Sequence, residues 1–411
     1  MKYGAVIVLL LIVAGIALSG CLGQSSSAPS SNDIVIGVLV PLTGDWSSKG
    51  QNYNAAIALA SHDSNVYLAS SGSPQRVRLM VEDTATDPVV AQEKIKKLYE
   101  AGARIVIGPA TSAEIAGVKE WADLHGMVIL GYASTSPALS IPGDNVFRLV
   151  PDDTRQGEAM AAFMNRSGIR IVIPVVRNDT WGTNLLLATK TRFEKNGGTF
   201  MPGYYFEPGT RDYALIIHNL SADVSAARQK YGTSAVGVYA IGFDELVPLF
   251  SSSEADPVLV SVKWFGSDGS AKAHALIQNA SVARFAAKTG FSAPVYGVEK
   301  ETAPAVNLTH RIEAMTGSEP DGYSLAAYDA TAIAARSLLM SRDASYGQLK
   351  NSVEFTADYY YGITGYTKFV ASGDRAYAVY PFWAVKDRNG TYVWERIAIY
   401  KSEPDQPGGF V

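Results

Sequence analysis

Residues 33–60 read DIVIGVLVPLTGDWSSKGQNYNAAIALA. Ile34 to Val40 is an unbroken apolar run rich in β-branched residues, as expected of a strand buried on both faces. Pro41, Gly44 and Gly50 mark a loop, and a helix follows. A strand feeding a helix through a Gly-rich loop is the first half of a βαβ unit, and ligands collect at the carboxyl ends of such strands. A phosphate-binding loop needs Gly-Lys-Ser/Thr directly before its helix. Here Lys49 precedes Gly50 and Gln51 follows, so nucleotide binding is not expected.

Working outward, the same alternation continues. Strands are predicted at Val77 to Val81, Arg104 to Ile107 and Met127 to Leu130, with helices at Val89 to Glu100 and Ser112 to His125. After Pro151 it restarts, with helices at Gln156 to Arg166, Asn184 to Asn196 and Tyr213 to Ser221, and strands at Ile169 to Val176, Phe200 to Phe206 and Ala235 to Ile241. Such patterning predicts parallel sheets covered by helices on both faces. Residues 266–304 are less regular, and Tyr323 to Met340 has the three-and-four spacing of a long helix. The last part is antiparallel in character: strands at Thr367 to Val370, Ala378 to Val385 and Tyr392 to Ile399, with an Asn389-Gly390 hairpin signal.

With 411 residues, 47% of them hydrophobic, the chain is long enough for two domains with sizeable cores. A net charge of −4 without a basic cluster excludes nucleic acid as an expected partner. At the amino terminus, Lys2 precedes an apolar run from Ala5 to Leu18 and then small residues ending in Cys21, the single cysteine. That is the layout of a secretory signal over 1–20, and Leu18-Ser19-Gly20-Cys21 resembles a lipobox, in which the cysteine carries lipid. An uncleaved membrane anchor and a structural cysteine are the competing readings. Either anchored form puts the bulk of the chain outside the cytoplasm, on a Ser/Pro-rich tether over 21–32.

Enzyme chemistry finds little purchase. The five histidines are dispersed, with no H-E-x-x-H pair to hold a metal and no G-x-S-x-G elbow. No metal and no cofactor are expected. The segments that suggest a binding site follow strands. Gly108 to Ser112 leads into a helix, where Ser112 as N-cap, with free amides behind it, would suit a carboxylate or would simply cap the helix. Ser134 and Thr135, in a Ser/Pro turn, could complete an anion cradle. Trp181 follows a strand of the second domain as a cleft wall or a core residue. Phe243 follows another, and Asp268 is placed to face an amine or to make a turn.

In this order, several segments resemble the type I periplasmic binding proteins of the branched-chain amino acid transporters, the Leu/Ile/Val-binding group. They include IVIGVLVPLTGDWSSKG at 34–50, VEDTATDPVVAQEKIKKLYEAGARIVIGPATS at 81–112, GYASTSP at 131–137 and FRLVPDDTRQG at 147–157. VVRNDTWGTN at 175–184, FGSDGS at 265–270, GYSLAAYDATAIA at 322–334 and ITGYTKFVASGDR at 363–375 continue the series. The resemblance implies an α/β fold of two Rossmann-like lobes with mainly parallel sheets, joined by three hinge crossovers. It implies a first lobe of 33–152 plus 290–365, a second of 153–289 plus 366–400, and a tail over 401–411. By the same resemblance, Ser112, Ser134 and Thr135 match positions that hold a ligand carboxylate, while Asp268 and an aromatic near Phe243 match those that hold its amine. Trp181 matches a cleft aromatic, Trp46 or Lys49 the wall of the first-lobe loop, and Asp153 an acidic residue beside the crossover. Asp268 stands where a Glu is common, and Phe243 lacks a tyrosine hydroxyl. The function implied is capture of a small amino acid, amide or related carboxylate and its delivery to an ABC permease. The alternatives are a ligand-sensing receptor of the same fold and an extracytoplasmic amidase.

Overall fold

In the computed structural model, β1 (Asp33–Val40) lies between β2 (Arg76–Asp83) and β3 (Ile105–Ile107) in a parallel sheet that β4 (Val128–Gly131) and β5 (Val146–Arg148) complete. The structure describes residues 33–341, 345–403, 406 and 408–411. The signal over 1–20, Cys21 and the rest of the tether to residue 32 lie outside the described residues. Among the described residues, no helix is long and apolar enough to cross a membrane.

The apolar run of β1 is divided by its period of two. Ile34, Ile36, Val38 and Val40 enter one core, and Leu39 with Val35 enters the other. Helices α1 (Ser47–Ser70) and α11 (Gly322–Met340) cover the first face, and α10 (Ala303–Thr316) packs on both of them. On the second, α2 (Pro88–Glu100) contributes Ala91, Ile95 and Leu98, and α3 (Ser112–His125) contributes Ile115, Val118 and Ala122. α12 (Tyr346–Tyr359) packs on α11, and a two-stranded ribbon of β12 (Tyr361–Gly362) and β13 (Gly365–Tyr366) follows it.

The second sheet is built from parallel β6 (Ile171–Arg177), β9 (Val236–Ile241), β10 (Lys263–Phe265) and β11 (Ser292–Pro294). β7 (Thr199–Phe200) and β8 (Tyr204–Phe206) both pair with β6. The expected single strand over 200–206 breaks at Pro202-Gly203, where a side chain on Gly203 would stand 2.4 Å from Pro174. Antiparallel β14 (Ala378–Arg388), β15 (Thr391–Ser402) and β16 (Gly409–Phe410) extend the sheet from β11. Helices α4 (Asp153–Arg166), α5 (Thr180–Lys195), α6 (Ala214–Tyr231), α7 (Leu246–Ser253), α8 (Ala275–Gln278) and α9 (Ala280–Lys288) belong to this half. The chain thus passes between the sheets three times: after β5, after β11 and after β13. Ser292–Pro294, inside the stretch assigned by resemblance to the first lobe, is a strand of the second sheet. Residues 409–410, in the expected tail, pair with β15.

Two local readings need correction. Thr367 to Val370 forms no strand. The Val370 amide donates to Asp374 O at 2.8 Å, closing a turn, and Thr367 Oγ1 donates to Ala357 O and Tyr360 O. The loop after β1 is also shorter than Gly50 suggests, since α1 begins at Ser47. Gly50 lies inside the helix because its first turn presses on Pro41, and a Cβ there would stand 1.9 Å from the Pro41 carbonyl oxygen. Gly50→Ala would gain at most about 1 kcal/mol of helix propensity, whereas overpacking costs about 1–3 kcal/mol. The expected result is a net destabilisation, read as a lower urea midpoint. An unchanged midpoint would show that the contact relaxes freely.

Candidate binding site

Five helices start at the mouth of the space between the sheets, and their first turns carry the side chains that meet there. Lys49 is the third residue of α1, Ser112 the first of α3, Asp153 the first of α4, Trp181 the second of α5 and Tyr323 the second of α11. Asp cap residues hold three of these starts in place. Asp152 accepts from the Thr154 amide, Asp179 from the Trp181 and Gly182 amides, and Asp321 from the Ser324 amide.

Ser112 is not the N-cap of α3. Thr111 takes that position in a reciprocal box with Glu114, which accepts from the Thr111 amide at 2.8 Å while Thr111 Oγ1 accepts from the Glu114 amide at 3.2 Å. Released from capping, Ser112 Oγ lies 2.9 Å from Ser134 Oγ and accepts from the Ser136 amide at 3.2 Å. Thr135 turns to Asp153, donating to its Oδ2 at 2.9 Å. The other Asp153 oxygen accepts from Gln156 Nε2, and Gln156 Oε1 accepts from the Asp268 amide at 2.9 Å. A continuous hydrogen-bonded chain therefore runs from Thr135 to Asp268. Tyr323 reaches Asp268 from the other half, its hydroxyl donating to Oδ2 at 2.5 Å.

Asp268 Oδ1, in contrast, has no hydrogen-bond partner among the described residues, and neither do the nearby Ser267 Oγ and Tyr53 hydroxyl. Asp268 is 2% exposed and Asp153 0%. Burial pushes both carboxyls above the usual range, and Asp153 is raised further by the charge of Asp268. Among the described residues, the ammonium that reaches this cluster, that of Lys49, is engaged elsewhere. Lys49 Nζ pairs with Asp321 at 2.8 Å and donates to the Asp268 backbone carbonyl at 3.0 Å. Burial alone would raise Asp321, but Lys49 holds it below the ordinary carboxylate range. The cluster has more carboxylate than cation.

Aromatic rings close the site. Trp46 and Trp181 each stack on Phe243, at centroid distances of 4.5 and 4.6 Å, and Trp46 Nε1 donates to Gly269 O at 3.0 Å. Gly269 must be glycine, since a Cβ would fall within 2.8 Å of Trp181, Phe243 and the Gly242 carbonyl. At the rim, Ser48 Oγ donates to Asp244 at 2.7 Å, and Asp45 accepts from Arg177 at 3.2 Å and Arg211 at 2.7 Å. These bonds join the first half to the second, so the arrangement is closed. Glu245, next to Phe243, pairs with Arg177 and serves that lock.

All nine sequence candidates, Trp46, Lys49, Ser112, Ser134, Thr135, Asp153, Trp181, Phe243 and Asp268, therefore lie in one buried region, linked directly or through shared neighbours. Nothing in the sequence pattern marks Tyr323, Gln156 or Tyr53 as a site residue. Tyr323 and Gln156 stand inside quoted motifs, but the apolar spacing of α11 and the charged surroundings of Gln156 gave no sign that they face the cleft. Among the described residues, no group of three or more His, Cys, Asp or Glu side chains is arranged to hold a metal.

Comparisons with known proteins agree with this architecture. Residues 53–388 match the family described as "Receptor family ligand binding region". An uncharacterised protein of Methanocaldococcus jannaschii is 26% identical over 415 residues, covering 95% of this chain and 96% of that protein. An amino acid binding protein of Pseudomonas aeruginosa is 26% identical over 213 residues, 51% of this chain and 56% of that protein. The leucine binding protein LivK of Thermotoga maritima superposes with a TM-score of 0.74 at 20% identity, over 90% of this chain and 99% of that one. At that identity the likeness bears on the fold, which is the type I periplasmic binding fold.

Proposed function

The chain belongs to the receptor ligand-binding-region family, and from that premise we propose that it is an extracytoplasmic binding protein for a small amino acid or related carboxylate, and not an enzyme. The observation that carries this reading is the buried Asp268, whose Oδ1 is unpartnered among the described residues beside a cluster poor in cations. An ammonium group on the ligand would supply the missing donor and charge. The Ser112 and Ser134 hydroxyls would take its carboxylate, joined by Thr135 once its hydroxyl turns from Asp153, and Trp46, Trp181 and Phe243 would enclose its side chain. Closure across Ser48–Asp244 and Asp45–Arg177 fits capture by hinge motion, because a ligand stabilises the closed state by its differential affinity for it.

Delivery to an ABC permease, from a lipid anchor on Cys21 at the outer face of the membrane, completes the proposal. The name of the Pseudomonas aeruginosa relative, an amino acid binding protein, supports the ligand class. A sensing role is favoured by one observation: part of the chain is 25% identical to gamma-aminobutyric acid type B receptor subunit 1 of Mus musculus. Neighbouring permease and ATPase genes, against kinase or receptor genes, would separate the two roles. Calorimetry across amino acids, amides and small carboxylates tests the core of the reading. One class is expected to bind, with Ser112→Ala weakening it. No binding across the panel would overturn it.

A further inference from the structure

A pocket of about 310 Å³ lies away from the site between the sheets, where the segments after β11 and after β13 run side by side. Tyr296, Lys300, Tyr361, Tyr366, Arg375 and Tyr377 form much of its wall, and none of the nine candidate residues lines it. Its volume is at the lower end of roughly 300–1,000 Å³ for small-molecule sites. Three of the tyrosines are open to solvent, Tyr361 at 75% and Tyr366 and Tyr377 at 38% each, and the rings of the last two are 5.8 Å apart.

Arg375 gives the pocket its character. It is 3% exposed, and its Nη atoms donate to Leu149 O, Thr364 Oγ1 and Thr364 O, all uncharged acceptors. Nε has no hydrogen-bond partner, and no carboxylate lies within 4.0 Å of the guanidinium among the described residues. The guanidinium carbon sits 5.4 Å over the Tyr296 ring. Asp329 feels the charge of Arg375, but burial pushes that carboxyl up and the Ile363 and Thr364 amides already occupy it. Lys300 is exposed on the rim, whereas the neighbouring Glu299 is engaged by Lys401. Asp329 reaches Arg375 only through Thr364 Oγ1, which donates to Asp329 Oδ2, so the guanidinium has no direct carboxylate partner among the described residues. A buried cation in that state is costly unless something compensates it, and here it borders an open, tyrosine-lined space.

We propose that this pocket is a second ligand site, taking a small planar organic anion such as an aromatic carboxylate. Its carboxylate lies toward Arg375 and Lys300, where a guanidinium favours carboxylate oxygens. Its ring lies among Tyr361, Tyr366 and Tyr377 in offset or edge contact. This site does not depend on what binds between the sheets.

Benzoate is the probe, titrated calorimetrically into the full chain. The expected result is binding that weakens at least about tenfold in the exposed rim variant Lys300→Glu/Tyr361→Ala, the loss of one charge-assisted contact, with no change in melting temperature. Asp268→Ala, in the other site, should leave benzoate binding intact. Arg375→Gln should abolish it, but this residue is buried, so the rim variant decides the question if Arg375→Gln does not fold. No benzoate binding by the unmodified chain, undiminished binding in the rim variant, or a matching loss in Asp268→Ala would each overturn the proposal. Amino acid binding measured on the same proteins keeps the two sites separate: the rim variant should retain it and Asp268→Ala should lose it.

Discussion

Arg148→Met is expected to lower the free energy of unfolding by about 3–5 kcal/mol, the usual cost of removing one partner of a buried ion pair. Arg148 is 1% exposed and stands at the end of β5, its Nε bound to Asp374 Oδ1 at 2.5 Å. Its Nη1 donates to Ser136 O at 2.8 Å and Nη2 to Ser140 Oγ at 2.8 Å, so it also holds the loop that carries Ser134 and Thr135. Methionine keeps the volume but strands Asp374, itself 2% exposed, without its cation. Urea midpoints measure the effect. The companion variant Arg148→Met/Asp374→Leu separates the causes. If the stranded charge dominates, the pair should recover much of the loss; a cost equal to the sum of the single variants would show that loop support, not the orphaned carboxylate, matters most.

Asp268→Asn is expected to move affinity and stability in opposite directions. A ligand ammonium facing Asp268 would lose its anionic partner, about 1.5–3 kcal/mol, or roughly ten- to hundredfold in Kd. Stability without ligand should rise at pH 8. The folded-state pKa of Asp268 is raised, so the favourable contribution of this group is complete below the ordinary carboxylate value and is lost as pH rises through the raised one. Asparagine removes the charge that is unfavourable at high pH and still accepts from Tyr323. The melting temperature of the variant should therefore exceed that of the parent at pH 8, and the gap should narrow as pH falls. A gap that stays constant with pH would mean that Asp268 does not titrate with folding. Such opposition is what a binding residue kept at a cost to stability produces.

Much of the fold was legible because apolar β-branched runs dominate it. β1, β6 and β9 are buried along nearly their whole length and carry no competing signal. The sequence pattern marks no separate helix at α7, α8, α9, α10 or α12. α10 and α12 lie largely exposed on other helices with short apolar faces, Ala305, Leu308 and Ile312 in one and Leu349, Val353 and Ala357 in the other, and such spacing barely exceeds chance in a chain this apolar. The strand expected over 367–370 failed because Thr367 and Asp374 satisfy the local backbone themselves. The site was legible to the extent that its residues follow strands, since strand ends mark the edge of a parallel sheet. Tyr323 and the rim partners Asp244 and Arg211 are brought in by the closing of one half on the other, whereas Gln156 joins Asp153 to Asp268 within the second half, and no spacing along the chain encodes either meeting.

The stacked rings of Trp46, Phe243 and Trp181 give the closed form an optical property. Both indoles are buried, at 2% and 3% exposure, and they belong to opposite halves while sharing one phenyl ring. Opening would part Trp46 from Phe243 and wet its indole, shifting the emission of one of the six tryptophans to longer wavelength, while Trp181 keeps its stack on Phe243 within the second half. The chain thus carries its own fluorescent reporter of the distance between its halves, without any attached label.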